Sequence, residues 1–134
     1  MRLISDDAFG IVCVFQEAEG EPYEGKVAVA EVILRRTNRK YMSDGTVAGT
    51  VLRKYQFSGM NSDAPNRIRA FQIDSDSPVV KECIKAWEQA KAGSNMTGNA
   101  LHYFNPKIVT PKWSYGGEVV AEIGNHRFII PKEG

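Results

Sequence analysis

Three glutamates lie close together around Gly20 near the start of the chain, at Glu17, Glu19 and Glu21. A strongly apolar segment follows them, and the buried helix that it predicts would hold this acidic turn against the interior. A carboxyl group that is partly removed from water keeps its proton to higher pH, which is what a general acid requires. Glu17 is therefore the first candidate for an acid that donates a proton to a glycosidic oxygen.

We expect three influences to raise the pKa of Glu17. The residue falls in the last turn of the first predicted helix, where the negative end of the helix dipole disfavours a carboxylate. Ionised Glu19 and Glu21 would act in the same direction, and burial against the next helix would add desolvation. The same pattern also fits three solvated residues of a surface turn, and the spacing alone does not decide between the two interpretations.

A second group of candidates combines aromatic rings with hydrogen-bonding side chains. It consists of His102, Tyr103, Phe104, Asn105 and Trp113. Aromatic faces stack on sugar rings while amide and imidazole groups bind sugar hydroxyls, so a carbohydrate cleft uses both kinds of side chain. Packing in the core is the competing interpretation. It is favoured for Phe104, whereas the two interpretations are nearly balanced for Tyr103 and Trp113.

Gln56, Phe57 and Ser58 begin a long polar segment, residues 56 to 76, that glycine and proline interrupt. Loops of this length in compact domains are usually functional or partly mobile. We expect these three residues to lie at the mouth of the loop and to add polar contacts to a binding cleft.

Other chemistries find little support. His102 and His126 lack the spacing of a zinc motif, and no glycine-rich phosphate-binding motif occurs, so we expect no metal, nucleotide or other cofactor. Cys13 and Cys83 lie in apolar helical patterns, which predicts buried, inert thiols in a reducing compartment. Whether the two cysteines are paired is left open.

The 134 residues are enough for one domain, residues 1–134, with a substantial core. The net charge of +1 provides no strong field for nucleic acid or an anionic membrane, and no apolar stretch approaches the length of a membrane span. Basic residues cluster only at Arg35, Arg36, Arg39 and Lys40. We interpret this cluster as a solvated helix end that complements the helix dipole, rather than as a binding patch.

Periodicity and capping signals predict the elements that must position these residues. Ser5 caps a first helix that Gly20 ends, and Pro22 suits the first turn of a second helix that runs to about Arg39. The second helix is apolar on nearly all sides, so we expect it at the centre of the domain.

The central helix carries one conspicuous acid, Glu31, and we expect Arg35 to pair with it one turn later. Later signals predict a short helix at 46–55, a helix that Ser77 and Pro78 open and Gly93 ends, and strands at 100–104, 119–123 and 127–130. Helices thus precede a small strand-rich region, which indicates an α+β fold.

The segment from Glu17 to Arg36 resembles the signature of the SleB/CwlJ family of cell-wall hydrolases. The resemblance continues in the expected order over essentially the whole chain, through Gln56-Phe57-Ser58, the run from His102 to Pro106, Trp113, and the run from Ile123 to Phe128. It implies a lysozyme-like α+β fold, with helices around a buried central helix and a small antiparallel β region in the C-terminal half. It also implies cleavage of peptidoglycan between N-acetylmuramic acid and N-acetylglucosamine.

The family's members are described as lytic transglycosylases, and the resemblance assigns the catalytic acid and base to Glu17. One such group suffices because the muramic 6-hydroxyl is the internal nucleophile, whereas a hydrolase needs a second carboxylate or a held water. We expect Glu21, the second acidic position of the motif, to be among the residues that bind substrate. Two positions depart from the usual pattern. Glu19 stands where arginine is common, which would shift the pH optimum upward, and Gln16 stands where asparagine is frequent.

We further expect a phage endolysin or virion-associated lysin, a monomer whose partner is the peptidoglycan glycan strand. It would be made in the host cytoplasm without a signal peptide, and a holin lesion or the virion would bring it to the wall. A fragment of a longer bacterial enzyme is the alternative origin. Hydrolysis of the same bond by a muramidase mechanism, and a non-catalytic glycan-binding or virion structural module, remain the alternative functions.

Overall fold

The computed structural model describes residues 5–53, 56–57 and 74–132, and within them helices precede a small sheet. The helices are α1 (Asp6–Ala18), α2 (Tyr23–Arg39), α3 (Val47–Val51) and α4 (Pro78–Lys91). The strands are β1 (His102–Phe104), β2 (Glu118–Ile123) and β3 (His126–Ile130), with a short 3-10 helix at Lys112–Ser114. The predicted α+β arrangement is confirmed.

The first two helices begin and end close to the predicted residues. The Ser5 hydroxyl caps α1 by accepting a hydrogen bond from the backbone N–H of Ala8. Gly20 follows the end of α1, although it does not adopt the positive φ that is common after a helix end. Pro22 is the N-cap of α2 rather than its first helical residue, so that helix begins one position later than expected. The two helices therefore meet in a tight turn that contains Glu19 and Glu21.

Helix α2 forms the centre of the domain, as its sequence predicts. Residues 27–30, 32 and 33 are fully buried. The helix contacts α1, α3, α4 and strand β2. Since elements cover it on several sides, a conventional polar face is absent through most of its length, and this explains the nearly continuous apolar run in the sequence.

Glu31 and Arg35 both bind the segment that leads into β1. The Glu31 carboxylate accepts hydrogen bonds from the backbone N–H and the hydroxyl of Thr97, at 2.9 and 2.7 Å. The Arg35 guanidinium donates to the Thr97 hydroxyl and to the carbonyl of Ala100, at 3.1 and 2.7 Å. Burial lowers the pKa of Arg35 and the charge of Glu31 acts to raise it, so the two side chains do attract each other. Within the described residues, however, they share the Thr97 hydroxyl rather than forming the direct ion pair that we predicted.

The sheet has the strand order β1-β3-β2, and both pairings are antiparallel. Strand β3 is central, and its Phe128 is fully buried opposite Tyr103 of β1. A two-residue turn, Gly124 and Asn125, joins β2 to β3, and Gly124 has a φ of +60°. A glycine at this position fits the hairpin turns that match the twist of the strands. The turn brings Asn125 beside the junction of α1 and α2.

The two cysteines belong to the buried core. Cys13 and Cys83 are both buried and unpaired, so the question of a disulfide is answered in the negative. Burial raises the pKa of the Cys83 thiol to about 11, which keeps it protonated and unreactive.

Within the described ranges, none of the helices combines the length and apolar character that a membrane crossing requires.

We expect the substitution Gly10→Ala to destabilise the fold by about 1–3 kcal/mol, because it overpacks the contact between α1 and α4. A Cβ atom at Gly10 would lie 2.1 Å from Cη2 of Trp87, whose side chain is fully buried. Urea unfolding measures the effect. Gly20→Ala is the matched control, because no atom of the described residues lies within 4 Å of its added Cβ, and it should change stability by less than about 0.5 kcal/mol. Equal free energies of unfolding for the two variants would contradict the prediction, because they would show that Trp87 moves to accommodate the added methyl group.

Candidate active site

A cavity of about 840 Å³ opens beside the C-terminal ends of α1 and α2, next to the sheet. Its volume falls in the range of sites that bind small molecules or several sugar-sized groups. Six residues predicted for the site line this cavity, namely Glu17, Gln56, Phe57, His102, Tyr103 and Trp113. The structure thus brings together side chains from the acidic turn, the start of the long polar segment and the aromatic group.

Glu17 lies half-buried in the last turn of α1, and its carboxylate reaches the cavity. The Tyr103 hydroxyl donates a hydrogen bond to Oε1 of Glu17 at 2.8 Å. Burial raises the pKa of Glu17, and this effect outweighs the Tyr103 hydrogen bond and the positive charge of Arg36, which both lower it. The expected rise through desolvation is therefore present. Tyr103 and Arg36 are the side chains with the largest effects on this pKa, and the sequence pointed to neither of them in that role.

The Glu21 carboxylate does not line the cavity, although we expected it to contact substrate. It accepts hydrogen bonds from the backbone N–H and the side-chain amide of Asn125, at 2.8 and 2.9 Å. Burial raises the pKa of Glu21, but the two Asn125 hydrogen bonds, together with His126 and Lys26, lower it overall. Glu21 is therefore held as a carboxylate that fixes the β2–β3 turn against the junction of α1 and α2.

Arg36 is the main cavity residue that the sequence analysis assigned wrongly. Its side chain is only 3% exposed, so it is not part of a solvated helix end. It donates to the carbonyl of Leu101 at 2.6 Å and to Oε1 of Gln56 at 3.2 Å, and its guanidinium carbon lies 5.1 Å from the centre of the Phe57 ring. The signal was present in the helical period, because residue 36 follows Ile33 on the buried face of α2.

His102 and Trp113 form an aromatic wall of the cavity. Their ring centres are 4.7 Å apart, and Trp113 remains 46% exposed. The Nδ1 atom of His102 lies 2.7 Å from Arg36, and Nε2 lies 2.8 Å from the hydroxyl of Tyr41. Burial, aided by the charge of Arg36, lowers the pKa of His102 to about 4, so the ring is neutral at physiological pH. Tyr41 lines the cavity too, and no motif in the sequence pointed to it.

The remaining predicted site residues lie apart from the cavity or outside the described residues. Phe104 is buried and packs its ring edge-on against Trp113, so the core interpretation holds for it. The Asn105 side chain accepts a hydrogen bond from the backbone N–H of Lys107 at 3.0 Å and stabilises a local turn. Ser58 and most of the long polar segment, residues 58–73, lie outside the described residues.

Replacing Tyr103 with phenylalanine will raise the pKa of Glu17. The Tyr103 hydrogen bond stabilises the carboxylate form, so its removal favours the protonated form and moves the titration to higher pH. A carbon-13 NMR titration of the Glu17 carboxyl measures this directly and needs no enzymatic assay. Tyr23→Phe is the matched control, because it removes a hydroxyl that binds Gln89 at 2.6 Å on another part of the surface. A Glu17 pKa that stays constant or falls in the Tyr103 variant would contradict the prediction.

The fold and the cavity together define a lysozyme-like α+β domain whose cleft has one half-buried glutamate among its described lining residues. The family model described as Cell Wall Hydrolase matches residues 20–129, and the chain belongs to this family. The matched range begins three residues after Glu17, so the assignment of that residue rests on the motif around it and on its place in the cleft.

Two curated relatives illustrate the similarity in sequence. The spore cortex-lytic enzyme of Oceanobacillus iheyensis is 37% identical over 115 residues, which cover 86% of this chain and 38% of that enzyme. The spore cortex-lytic enzyme of Bacillus subtilis is 34% identical over the same length, covering 86% of this chain and 34% of that enzyme. The chain therefore spans less than half the length of these relatives.

Two solved structures show the same fold. The catalytic domain of SleB from Bacillus anthracis, a germination-specific lytic transglycosylase, has a TM-score of 0.73 and 33% identity, over 97% of this chain and 99% of that domain. The catalytic domain of the Bacillus cereus SleB protein has a TM-score of 0.73 and 34% identity, over 93% and 89% respectively. The lysozyme-like fold implied by the sequence resemblance is confirmed.

Proposed function

We propose that this protein cleaves peptidoglycan glycan strands between N-acetylmuramic acid and N-acetylglucosamine, as a lytic transglycosylase. The observation that carries the proposal is that Glu17 supplies the sole carboxylate among the described residues lining the cavity. A site with one acid matches a reaction in which the same group acts first as acid and then as base. The similarity to the Bacillus anthracis domain, which is a lytic transglycosylase, supports the proposal.

The Tyr103 hydrogen bond supports a different role in the proposed reaction for each carboxylate oxygen of Glu17. Tyr103 occupies Oε1, so Oε2 is the oxygen that carries the catalytic proton. Protonated Glu17 donates this proton to the glycosidic oxygen as the bond from that oxygen to C1 of the muramic residue breaks. The muramic 6-hydroxyl then attacks C1 and gives its proton to the Glu17 carboxylate. The products are a 1,6-anhydro-muramic end and a free 4-hydroxyl, and Glu17 returns to its starting protonation state.

The raised pKa of Glu17 suits the first of these steps, and the positive charge near it stabilises the carboxylate that this step leaves. Burial keeps a larger fraction of the carboxyl protonated near neutral pH than in a solvated glutamate. Between the two steps Glu17 is a carboxylate, and Arg36 and the Tyr103 hydroxyl stabilise that form. Hydrolysis of the same bond would require a water molecule in place of the 6-hydroxyl, and the described cavity lining provides no second carboxylate to activate it.

Digestion of purified sacculi, followed by mass spectrometry of the soluble muropeptides, tests the proposal. Anhydro-muropeptides are the expected products. Products heavier by one water would establish hydrolysis instead. Retention of the protein on sacculi without release of either product would favour a non-catalytic glycan-binding or virion structural module.

We also propose that the protein acts as a monomeric, phage-encoded endolysin or virion-associated lysin. Peptidoglycan lies outside the cytoplasmic membrane, so a lysin made in the host cytoplasm reaches it through a holin lesion or as part of the virion. Holin or tail genes beside the coding sequence would support this origin. A sporulation or germination locus would indicate a bacterial enzyme instead.

A further inference from the structure

Arg36 determines which hydrogen-bonding groups remain available in the cavity. A guanidinium has donors only, so each polar atom that it contacts must act as an acceptor. Its Nη1 contacts Oε1 of Gln56 at 3.2 Å, and its Nη2 contacts Nδ1 of His102 at 2.7 Å. Because Arg36 is almost completely buried and fixed by these contacts, it keeps both acceptor atoms occupied.

The contact with Arg36 fixes the tautomer of His102 and, through it, the orientation of the Tyr41 hydroxyl. Since Nδ1 accepts from Arg36, the single proton of the neutral ring lies on Nε2. Nε2 therefore donates to the Tyr41 oxygen, 2.8 Å away. That oxygen accepts, and its own hydrogen has no acceptor among the residues that the structure describes. As Tyr41 lines the cavity, its O–H is a donor available to a ligand.

Gln56 is oriented by the same cation. Its carbonyl oxygen accepts from Arg36, so its amide nitrogen, which carries two hydrogens, is the end left for the cavity. In the part of the chain that is described, this nitrogen also has no acceptor. Tyr41 and Gln56 thus each offer a hydrogen-bond donor to the cavity, while their acceptor atoms are already occupied by His102 and Arg36.

We propose that Tyr41 and Gln56 bind the carbonyl oxygen of an N-acetyl group of the glycan, with Arg36 and His102 as the residues that position them. This inference rests on the proposed function and names the substrate group that the cleft recognises. An amide carbonyl oxygen has two lone pairs and no hydrogen, so two donors satisfy it completely, whereas a sugar hydroxyl would still need an acceptor for its own hydrogen. The exposed ring of Trp113, against His102, offers an apolar surface for the acetyl methyl group.

The test compares two tetrasaccharides that differ in their acetamido groups, the β-1,4-linked tetramer of N-acetylglucosamine and cellotetraose. Binding is measured by calorimetry in a Glu17→Gln background, which prevents turnover. We expect this parent to prefer the N-acetylated tetramer. Tyr41→Phe and Gln56→Glu should each weaken binding of the N-acetylated tetramer about fivefold, the effect of one lost hydrogen bond, and leave cellotetraose binding unchanged.

Two further variants separate recognition from general loss of structure. Tyr115→Phe is the matched control, because Tyr115 is 64% exposed and does not line the cavity, and it should leave both affinities unchanged. His102→Phe should lower the preference for the N-acetylated tetramer when Tyr41 is present, but cause no further loss of preference in the Tyr41→Phe variant. A purely structural role of His102 would weaken binding of both tetrasaccharides in either background.

A parent without preference for the N-acetylated tetramer would overturn the inference. So would a preference that persists unchanged in both Tyr41→Phe and Gln56→Glu. In either case, formation of anhydro-muropeptides by the wild-type protein would still uphold the proposed reaction, so the failure of one is distinguishable from the failure of the other.

Discussion

Replacing Glu17 with glutamine will slow glycan-strand cleavage by about a thousandfold or more. General acid–base catalysis by one positioned group contributes about 10²–10⁴-fold to a rate, and in the proposed mechanism one carboxyl serves both proton transfers, so we expect the upper part of this range. Glutamine has nearly the same shape, and its amide oxygen still accepts the hydrogen bond that Tyr103 donates to Oε1. The variant should therefore fold and bind glycan while lacking the proton that the leaving group requires.

The rate of release of anhydro-muropeptides from sacculi measures this effect. Glu19→Gln is the matched control, because Glu19 carries the same functional group two positions away but is exposed to solvent. Its activity should stay within about threefold of the wild type. A Glu17→Gln variant with wild-type activity would remove Glu17 from the mechanism. An equal loss of activity in both variants would instead show that the total negative charge of the turn, rather than Glu17 itself, determines the rate.

Replacing Arg36 with methionine will destabilise the protein by about 3 kcal/mol or more. Hydrogen bonds to charged groups contribute about 1.5–3 kcal/mol each, and buried partners left unsatisfied add their own desolvation penalty. Arg36 binds the Leu101 carbonyl, Gln56 and His102, and these partners come from two separate parts of the chain, the start of the long polar segment and the start of β1. Methionine fills much of the same volume, so the expected loss reflects these contacts rather than a large cavity.

The free energy of urea unfolding measures this loss. Arg39→Met is the matched control in the same helix, because Arg39 is exposed and donates to the side chain of Asn99 at 2.7 Å. Exposed charged contacts of this kind contribute about 1 kcal/mol or less. A similar loss of unfolding free energy in the two variants would contradict the prediction, because it would show that the buried contacts of Arg36 stabilise the protein no more than the exposed contact of Arg39.

The helices and strands were largely predictable because their signals are local. The Ser5 cap, the continuous apolar run of α2 and the Ser77-Pro78 start of α4 each depend on residues within a few positions of one another. The period of the apolar residues then indicates which elements are covered on one side and which on several. These features led to the correct α+β class and the central position of α2.

The cleft was only partly predictable, because its residues were recognised one motif at a time. Glu17, Gln56, Phe57, His102, Tyr103 and Trp113 were identified by their types and order, and they do line one cavity. The same motifs also predicted Phe104 and Asn105 as site residues, but Phe104 is buried and Asn105 stabilises a local turn. A motif includes residues that support a site as well as residues that face it, and only the fold separates the two.

By itself, the sequence determined the family, the elements and the glutamate at the end of α1. The tertiary structure decided the partners of the charged side chains. Arg36 meets His102 across 66 residues of sequence, and Glu21 meets Asn125 across 104. Such pairs form only when the sheet packs against the helices. Each charged side chain then binds the polar groups that this packing buries beside it. For that reason the chain's acids and bases were visible in advance, whereas the division between catalytic, positioning and structural charges was not.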